Sequence, residues 1–402
     1  MSEEVAPVGA RRLAPPILAA TLLAAVGRGA MFLLIPIDGL ELGGIFGGFA
    51  VPGMFALGAV TTNIPGAILV SRFGHKPAMV GGLLTAIAGA LGVALSESLL
   101  FVTLAAFAYG VGGGLWGFAR LSYLSDMVDV TQRGRVVSAV GGSHRMGLFA
   151  GPALGGLAAS ALGRSTAVTL VALCVVIALL IVIAVLPPGR TLPSPAGAHP
   201  LSMVRRVIAD HRRTFATAGV AMLTLSLVRQ ARMLLVPICG VTLGLDTADI
   251  GFVKSLSMGA DMALFYPAGL IMDRFGRKWT AVPCLTLLSL GVLAIGTAGS
   301  YLQLALGGLL AGIGNGLGSG INMTLAGDFS PREGRADFLG VWKLISDTGG
   351  SSSPFVMGTI ASALALGPAA AVAAAVGLSG ALLMALLVQE TRRPQPATEP
   401  AD

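Results

Sequence analysis

Two arginines, Arg28 and Arg229, stand about 200 positions apart, each inside a long apolar run. Each lies about fifteen residues from the basic end of its run, roughly 22 Å at the rise of a helix. A charge that deep in an apolar element is costly and marks function. Two guanidiniums facing one cavity form a bidentate clamp for a carboxylate or phosphate; otherwise each is structural glue, paired with a neighbouring carboxylate or carbonyl. Arg120 and Arg232 are further embedded cations, and Gln230 and Asn322 add hydrogen-bonding groups beside them. Asn315 and Asn322 stand at an i, i+7 spacing, which places both on one face of a continuous helix. Such a cavity attracts an anionic or zwitterionic solute and repels a cationic one. Asp261 and Asp347 are the deeply embedded carboxylates. Asp261 is the first candidate for a proton-coupling group, Asp347 the second. Arg145 is the expected partner of Asp261, and the adjacent His144 is of a type that titrates between about pH 5 and 8. A static buried pair is the alternative.

The elements that carry these groups are set by composition. The chain of 402 residues is 54% hydrophobic and 11% charged, with a mean hydropathy of +0.84. Soluble domains carry about 25% charged residues. Apolar runs of about 20 residues recur along the length, each able to cross a hydrocarbon core as a helix. Twelve spans are predicted: 13–37, 45–70, 78–96, 99–125, 136–162, 166–186, 214–238, 248–272, 280–298, 300–327, 337–363 and 366–388. The runs do not alternate, which excludes a barrel of strands. The fold class is therefore an all-α membrane protein.

Much of the chain repeats at an offset of about 202 residues. Ser71-Arg72-Phe73-Gly74-His75-Lys76 recurs as Asp273-Arg274-Phe275-Gly276-Arg277-Lys278, and Arg28 recurs as Arg229. Two pseudo-symmetric six-helix halves place a solute site between them. The expected organisation is a first half over 1–186, a linker with an amphipathic helix over 187–213, a second half over 214–391 and a disordered tail over 392–402. The net charge of +7 is distributed by topology. With alternating spans, Arg72, Lys76, Arg133, Arg135, Arg205, Arg206, Arg274, Arg277, Lys278 and Arg335 share a side with the linker. Asp38, Glu41, Glu97, Asp246, Asp249 and Arg164 share the other. That is the positive-inside pattern, placing both termini and the linker in the cytoplasm. It argues against a nucleic-acid partner.

The loop Gly269-Leu270-Ile271-Met272-Asp273-Arg274-Phe275-Gly276-Arg277-Lys278 resembles the signature loop of the major facilitator superfamily. The resemblance covers nearly the whole chain. It implies a gating role for Asp273, Arg274, Gly276, Arg277 and Lys278, and for Arg72, Gly74 and Lys76 in the first copy. There Ser71 replaces the aspartate that latches the cytoplasmic gate in that family, and Ala67 stands at the leading glycine. In span 5, Gly147, Gly151, Pro152, Gly155 and Gly156 resemble the antiporter motif of the family's drug and metabolite exporters, with Ser138 where an earlier glycine belongs. The alternative is close packing of small residues with no bearing on direction. The arginine many relatives carry early in span 4 is missing near Ala106 and Phe107. The arginine pair on spans 1 and 7 resembles that of the family's organic-phosphate exchangers.

Cys174, Cys239 and Cys284 give neither a disulfide framework nor metal spacing. No nucleotide loop or catalytic set stands out, so neither a metal, a cofactor nor an enzyme activity is expected, and the start of the chain has no signal-peptide pattern. The expected protein is a monomeric secondary transporter in a bacterial-type inner membrane, coupling protons to efflux of a small organic solute by alternating access. Uptake or exchange of a small organic anion, and a non-transporting membrane sensor, are the alternatives.

Overall fold

The computed structural model of the chain describes residues 10–188 and 200–391. Among these no strand occurs. Backbone polar groups inside lipid must be satisfied within their own segment, so continuous apolar runs become helices. In α1 (Ala10–Thr61), span 1 passes into span 2 through non-helical backbone at Gly43 and Gly44. Span 2 ends in α2 (Asn63–Phe73), and α3 (His75–Leu95), α4 (Leu99–Met127), α5 (Val130–Leu162) and α6 (Arg164–Val185) complete the first half. The connecting helix is α7 (Pro200–Asp210). Span 7 comprises α8 (Arg212–Thr214), a π-helical turn (Phe215–Gly219) and α9 (Val220–Thr242). The rest is α10 (Thr247–Phe275), α11 (Lys278–Gly296), α12 (Tyr301–Leu317), α13 (Ile321–Phe329), α14 (Arg335–Ala363) and α15 (Leu366–Leu386). Among the described residues, side-chain caps start three of the helices, with Asp129, Asp246 and Ser300 each accepting from a backbone N–H just inside the helix.

Buried apolar side chains form two clusters. One runs from Leu13 to Leu186. The other runs from Phe215 to Val388 and takes in Leu33, Ile37 and Phe49 of α1. The outer surface is also apolar: Leu95 is 79% exposed, Leu386 75% and Leu364 70%. Water penalises such a surface and lipid does not. Among the described residues, eight helical segments are long and apolar enough to cross a membrane. The helices α5, α10 and α14 are as long, with 33, 29 and 29 residues, and they carry His144, Arg145, Lys254, Asp261, Lys343 and Asp347.

One detail differs from the sequence reading. Span 10 is not one helix: it breaks at Gly318–Gly320, with Gly320 at φ 84°. Asn315 and Asn322 therefore sit on separate helices, and the shared-face argument fails. In α7, Val204 and Val207 pack against the second core, and Ile208 is 40% exposed. The expectations for residues 1–9, 189–199 and 392–402 lie outside the described residues.

The ends of the helices that carry Gly74, Arg133, α7 and Gly276 form the linker face; those that carry Asp38, Arg164 and Asp246 form the far face. Hydrogen bonds between the halves cluster toward the far face. The Ser160 hydroxyl of α5 donates to Asp246 at 2.6 Å and accepts from the Ala248 N–H at 3.0 Å. Lys254 Nζ of α10, 2% exposed, donates to the Phe32 carbonyl of α1 at 2.7 Å and to the Met233 carbonyl of α9 at 2.6 Å. Pro152 leaves α5 without the bond its N–H would give to Leu148, and Ser255 of α10 bridges the next rung of the ladder. Its hydroxyl donates to the Phe149 carbonyl at 2.7 Å and accepts from the Ala153 N–H at 3.0 Å.

Candidate functional site

Spans 1 and 7 bring Arg28 and Arg229 to one cavity between the halves. This space, about 320 Å³, is lined by both arginines and by Phe55, Gln230, Ser346 and Asp347. Arg28 meets rings: its guanidinium carbon lies 5.5 Å from the centroid of Phe32 and 5.4 Å from that of Phe55. Arg229 donates to the Gly318 carbonyl at 2.9 Å, at the break in span 10. None of the ion pairs seen among the described residues includes Arg28, Arg120 or Arg229.

Asp261 is the most heavily bonded acid in this region. It accepts from Asn315 Nδ2 at 2.5 Å and from the Ser319 hydroxyl at 3.4 Å. Arg232 of its own half approaches to 3.6 Å, and Arg145 of the other half to 3.5 Å. The Arg145 guanidinium also lies over the Phe265 ring, 4.3 Å from its centroid. The expected pairing of Asp261 with Arg145 across the halves is thus present in the geometry. Arg232 was expected to face the solute. It is 2% exposed, is held by Asp261 and the Ala311 carbonyl, and lines none of the cavities described here. The residues around Asp261 border a second cavity of about 350 Å³, with His144, Arg145, Arg229, Met258 and Ser319 in its wall.

A third cavity, about 230 Å³, lies inside the first half, lined by Arg28, Arg120, His144, Tyr109, Trp116 and Phe55 among others. It shares His144 with the second cavity and Arg28 with the first. Arg120 donates to the Thr21 hydroxyl at 3.1 Å and stacks over Trp116 at 5.5 Å, so it reaches inward rather than toward the helix end. Asn322, expected near the solute, instead bridges helices: its carbonyl oxygen accepts from Trp342 Nε1 at 2.7 Å and from the Ser346 hydroxyl at 3.2 Å. Asp347 pairs with Lys343 one turn away on α14.

The repeated loops occupy equivalent places. Gly74 (φ 89°) and Gly276 (φ 111°) turn the chain through backbone conformations that a side chain disfavours. Lys76 Nζ then donates to the Ile183 and Leu186 carbonyls at 2.8 and 2.6 Å, and Lys278 Nζ to the Ala385 carbonyl at 2.9 Å. Each lysine ties its loop to the sixth helix of its own half. Arg277 pairs with Asp328 at 2.8 Å, and at the same offset His75 lies 2.9 Å from Asp126. Sequence reasoning missed this second correspondence, although the offset of about 202 residues pointed to it. Glu390 also accepts from the N–H groups of Arg277 and Lys278 at 2.8 and 3.0 Å. Arg72 and Arg274 each lie over the neighbouring phenylalanine ring at 5.5 Å. Asp273 is exposed, and no ion pair seen among the described residues includes it.

The glycines of span 5 serve two contacts. Gly147, Gly151 and Gly155 lie against Ala25, Val26, Gly29 and Ala30 of α1. A Cβ at Gly151 would come within 2.8 Å of the Gly29 Cα, so backbone approaches backbone there. Gly156 points to α10 instead, where a Cβ would lie 3.2 Å from the Ala248 Cα and 3.3 Å from the Gly251 Cα. The motif is a close-packing surface inside the first half and between the halves. Lys254 and Ser255 were not placed at the interface from sequence. A lysine in an apolar run was the available signal for the first, and an ordinary serine gave none for the second.

Known proteins share this architecture. Multidrug resistance protein MdtH of Salmonella arizonae is 25% identical over 298 residues, covering 72% of this chain and 70% of the relative. MdtH of Salmonella newport matches over the same length at the same identity, covering 71% of the relative. A POT family transporter crystallised with a thioalcohol-conjugated peptide superposes with a TM-score of 0.78 at 12% identity, covering 93% of this chain and 96% of that one. At that identity the likeness speaks for the fold. The family model described as Major Facilitator Superfamily matches residues 17–231 and again 214–402. The model recognises each half of the internal repeat separately, and the chain belongs to the Major Facilitator Superfamily of membrane transporters.

Proposed function

We propose that the protein exports a small organic solute across the inner membrane by alternating access, driven by protons entering from the opposite side. The observation that carries this is Asp261 lying between an arginine of its own half and one of the other. An acid shared in this way changes partners when the halves reorient. With Arg145 withdrawn, a proton becomes a competitive substitute for the lost cation. The basic linker face is cytoplasmic in this reading. The interhalf bonds of Ser160, Lys254 and Ser255 then close the outer side, and the cavities of Arg28, Arg229 and Asp261 receive solute from the cytoplasm. The loops of Arg72–Lys76 and Asp273–Lys278 close that side in the alternate state, with Asp273 gaining a partner there. Export is supported by the name of the MdtH relatives. Uptake or exchange of an organic anion is the second reading, favoured by the excess of cations over carboxylates around the cavities.

The test uses purified protein in liposomes with an imposed pH gradient. Asp261→Asn should lose gradient-driven accumulation while exchange of solute for solute persists. Accumulation at the unmodified rate would remove Asp261 from coupling. Absence of flux for every solute class tried, with intact folding, would favour a sensor.

A further inference from the structure

The cations of the two halves are neutralised differently, and the difference locates a ligand group. In the second half Arg232 has Asp261, and Arg229 has a backbone carbonyl. In the first half Arg28, Arg120 and His144 converge on one cavity whose lining contains neither Asp nor Glu. Arg28 has ring faces for neighbours, and Arg120 has a neutral hydroxyl and a ring. The Arg120 Nε is buried and has no hydrogen-bond partner. Two guanidiniums in a half-buried pocket repel each other, and without a counter-charge that arrangement is costly. Fixed donors around a space without an acceptor are complementary to an oxyanion.

We infer that the first-half cavity is the seat of an acidic group of the solute, a carboxylate or phosphonate attached to an aromatic or compact apolar body. Arg28 and Arg120 bind the oxyanion, and His144 supplies an imidazole N–H. The walls fix the rest. Tyr109, Trp116 and Phe55 present rings, and Leu83, Ala86 and Val175 present aliphatic surface. A volume of about 230 Å³ takes a headgroup and one ring; a larger body extends past Arg28 and His144 into the two neighbouring cavities. This replaces a symmetric clamp of Arg28 with Arg229 by an asymmetric one: the first half holds the acid, and the second half, through Asp261, holds the proton. The inference rests on the reading of the chain as a transporter of a small solute, which the flux assay tests separately.

The experiment measures the melting temperature and tryptophan fluorescence of the purified, detergent-solubilised protein against matched probes: benzoate, phenylphosphonate, benzyl alcohol and benzylamine. The two anions should stabilise the protein and change its fluorescence, whereas the alcohol and the amine should not. Arg120→Gln should weaken anion binding roughly 10- to 150-fold, the range of one charged hydrogen bond. Arg120→Lys, which keeps the charge and loses the fork, should weaken it by an intermediate factor. Arg213→Gln, at an exposed position that lines none of the three cavities, should leave it within about threefold. Should Arg120→Gln not fold, Arg120→Lys against Arg213→Gln carries the comparison. Equal binding of benzylamine, equal loss in Arg213→Gln, or no response to either anion would overturn the assignment. So would stabilisation by phosphatidylglycerol with no response to benzoate, which would make the site a lipid headgroup pocket. Anion binding without flux in liposomes would instead refute the transport reading and leave the pocket standing.

Discussion

Replacing either end of the Arg145–Asp261 pair should have unequal effects, because the two ends differ in what they leave behind. Arg145 is 33% exposed at its side chain and Asp261 12%, at a separation of 3.5 Å. Coulomb's law at an effective dielectric of about 20 gives roughly 4.7 kcal/mol for that separation. Solvent screening and side-chain entropy reduce exposed pairs to ~1 kcal/mol or less. Arg145→Gln therefore removes about 1 kcal/mol from the state in which the halves share the pair, a change of about fivefold in the ratio of states. Asp261 retains Arg232, Asn315 and Ser319 in that variant, so the fold keeps its stability. Asp261→Asn is different. It strands Arg232, 2% exposed, with the Ala311 carbonyl at 3.4 Å and the Met258 sulfur at 4.0 Å for company. Removing one partner of a buried pair costs about 3–5 kcal/mol. The assay pairs melting temperature with cysteine accessibility at the two faces. Asp261→Asn should lower the melting temperature by several degrees, and Arg232→Met in the same chain should restore most of it. Arg145→Gln should move accessibility and leave melting nearly unchanged. If Arg145→Gln melts as low as Asp261→Asn, with accessibility unmoved, the reasoning is refuted and the pair is structural glue.

Three further outcomes are expected. Gly151→Val should destabilise the protein by about 1–3 kcal/mol or prevent folding, because α1 backbone occupies the space. Gly142→Val, at a position with nothing within 4 Å, should leave melting unchanged. The Ser160 hydroxyl, with the N–H groups of Ala248 and Thr247, holds the Asp246 carboxyl below the usual carboxylate range. A lowered folded pKa means the contact contributes above the unfolded value of about 3.9 and is lost as pH falls through the lowered one. Far-face accessibility should therefore rise only in that acid range, and Asp246→Asn should produce the rise at neutral pH. Lys76→Met should loosen the first-half loop more than Lys278→Met loosens the second, since Glu390 still holds the second through two backbone N–H groups; hydrogen exchange of the two loops makes the comparison.

The architecture was legible because its causes are local and periodic. Apolar runs of membrane length, the offset near 202 residues and the one-sided basic loops each specify the fold without reference to contacts. The helix break at Gly318–Gly320 was not legible, because glycines are tolerated within membrane helices and neither their count nor their spacing distinguishes a break from a packing stripe. The site was half legible. Depth in the span identified Arg28, Arg229, Asp261 and Arg145 as embedded charges. Which way each side chain turns depends on helix rotation, which the sequence leaves open. Arg232 and Asn322 therefore turn to partners inside their own half, whereas Arg120 reaches a cavity. Likewise His75 and Asp126 lie in register with Arg277 and Asp328, yet a lone aspartate far along the chain from the loop gives no sign in the sequence that it folds back onto it.

The contact of α5 with α10 has a kinetic consequence. Interfaces built from interlocked side chains come apart one rotamer at a time, and each escape adds to the barrier. Between Gly156 and Gly251 there is little to disentangle, since backbone rests on backbone. Such a joint separates as a single surface. What holds it shut is a countable set of contacts: the bonds of Ser160 and Ser255 and the Arg145–Asp261 pair on the joint itself, with Lys254 tying α10 to α1 beside it. The frequency with which the two halves part is then governed by how long those bonds last, and removing them one by one should step the switching rate upward while leaving the joint's shape as it was.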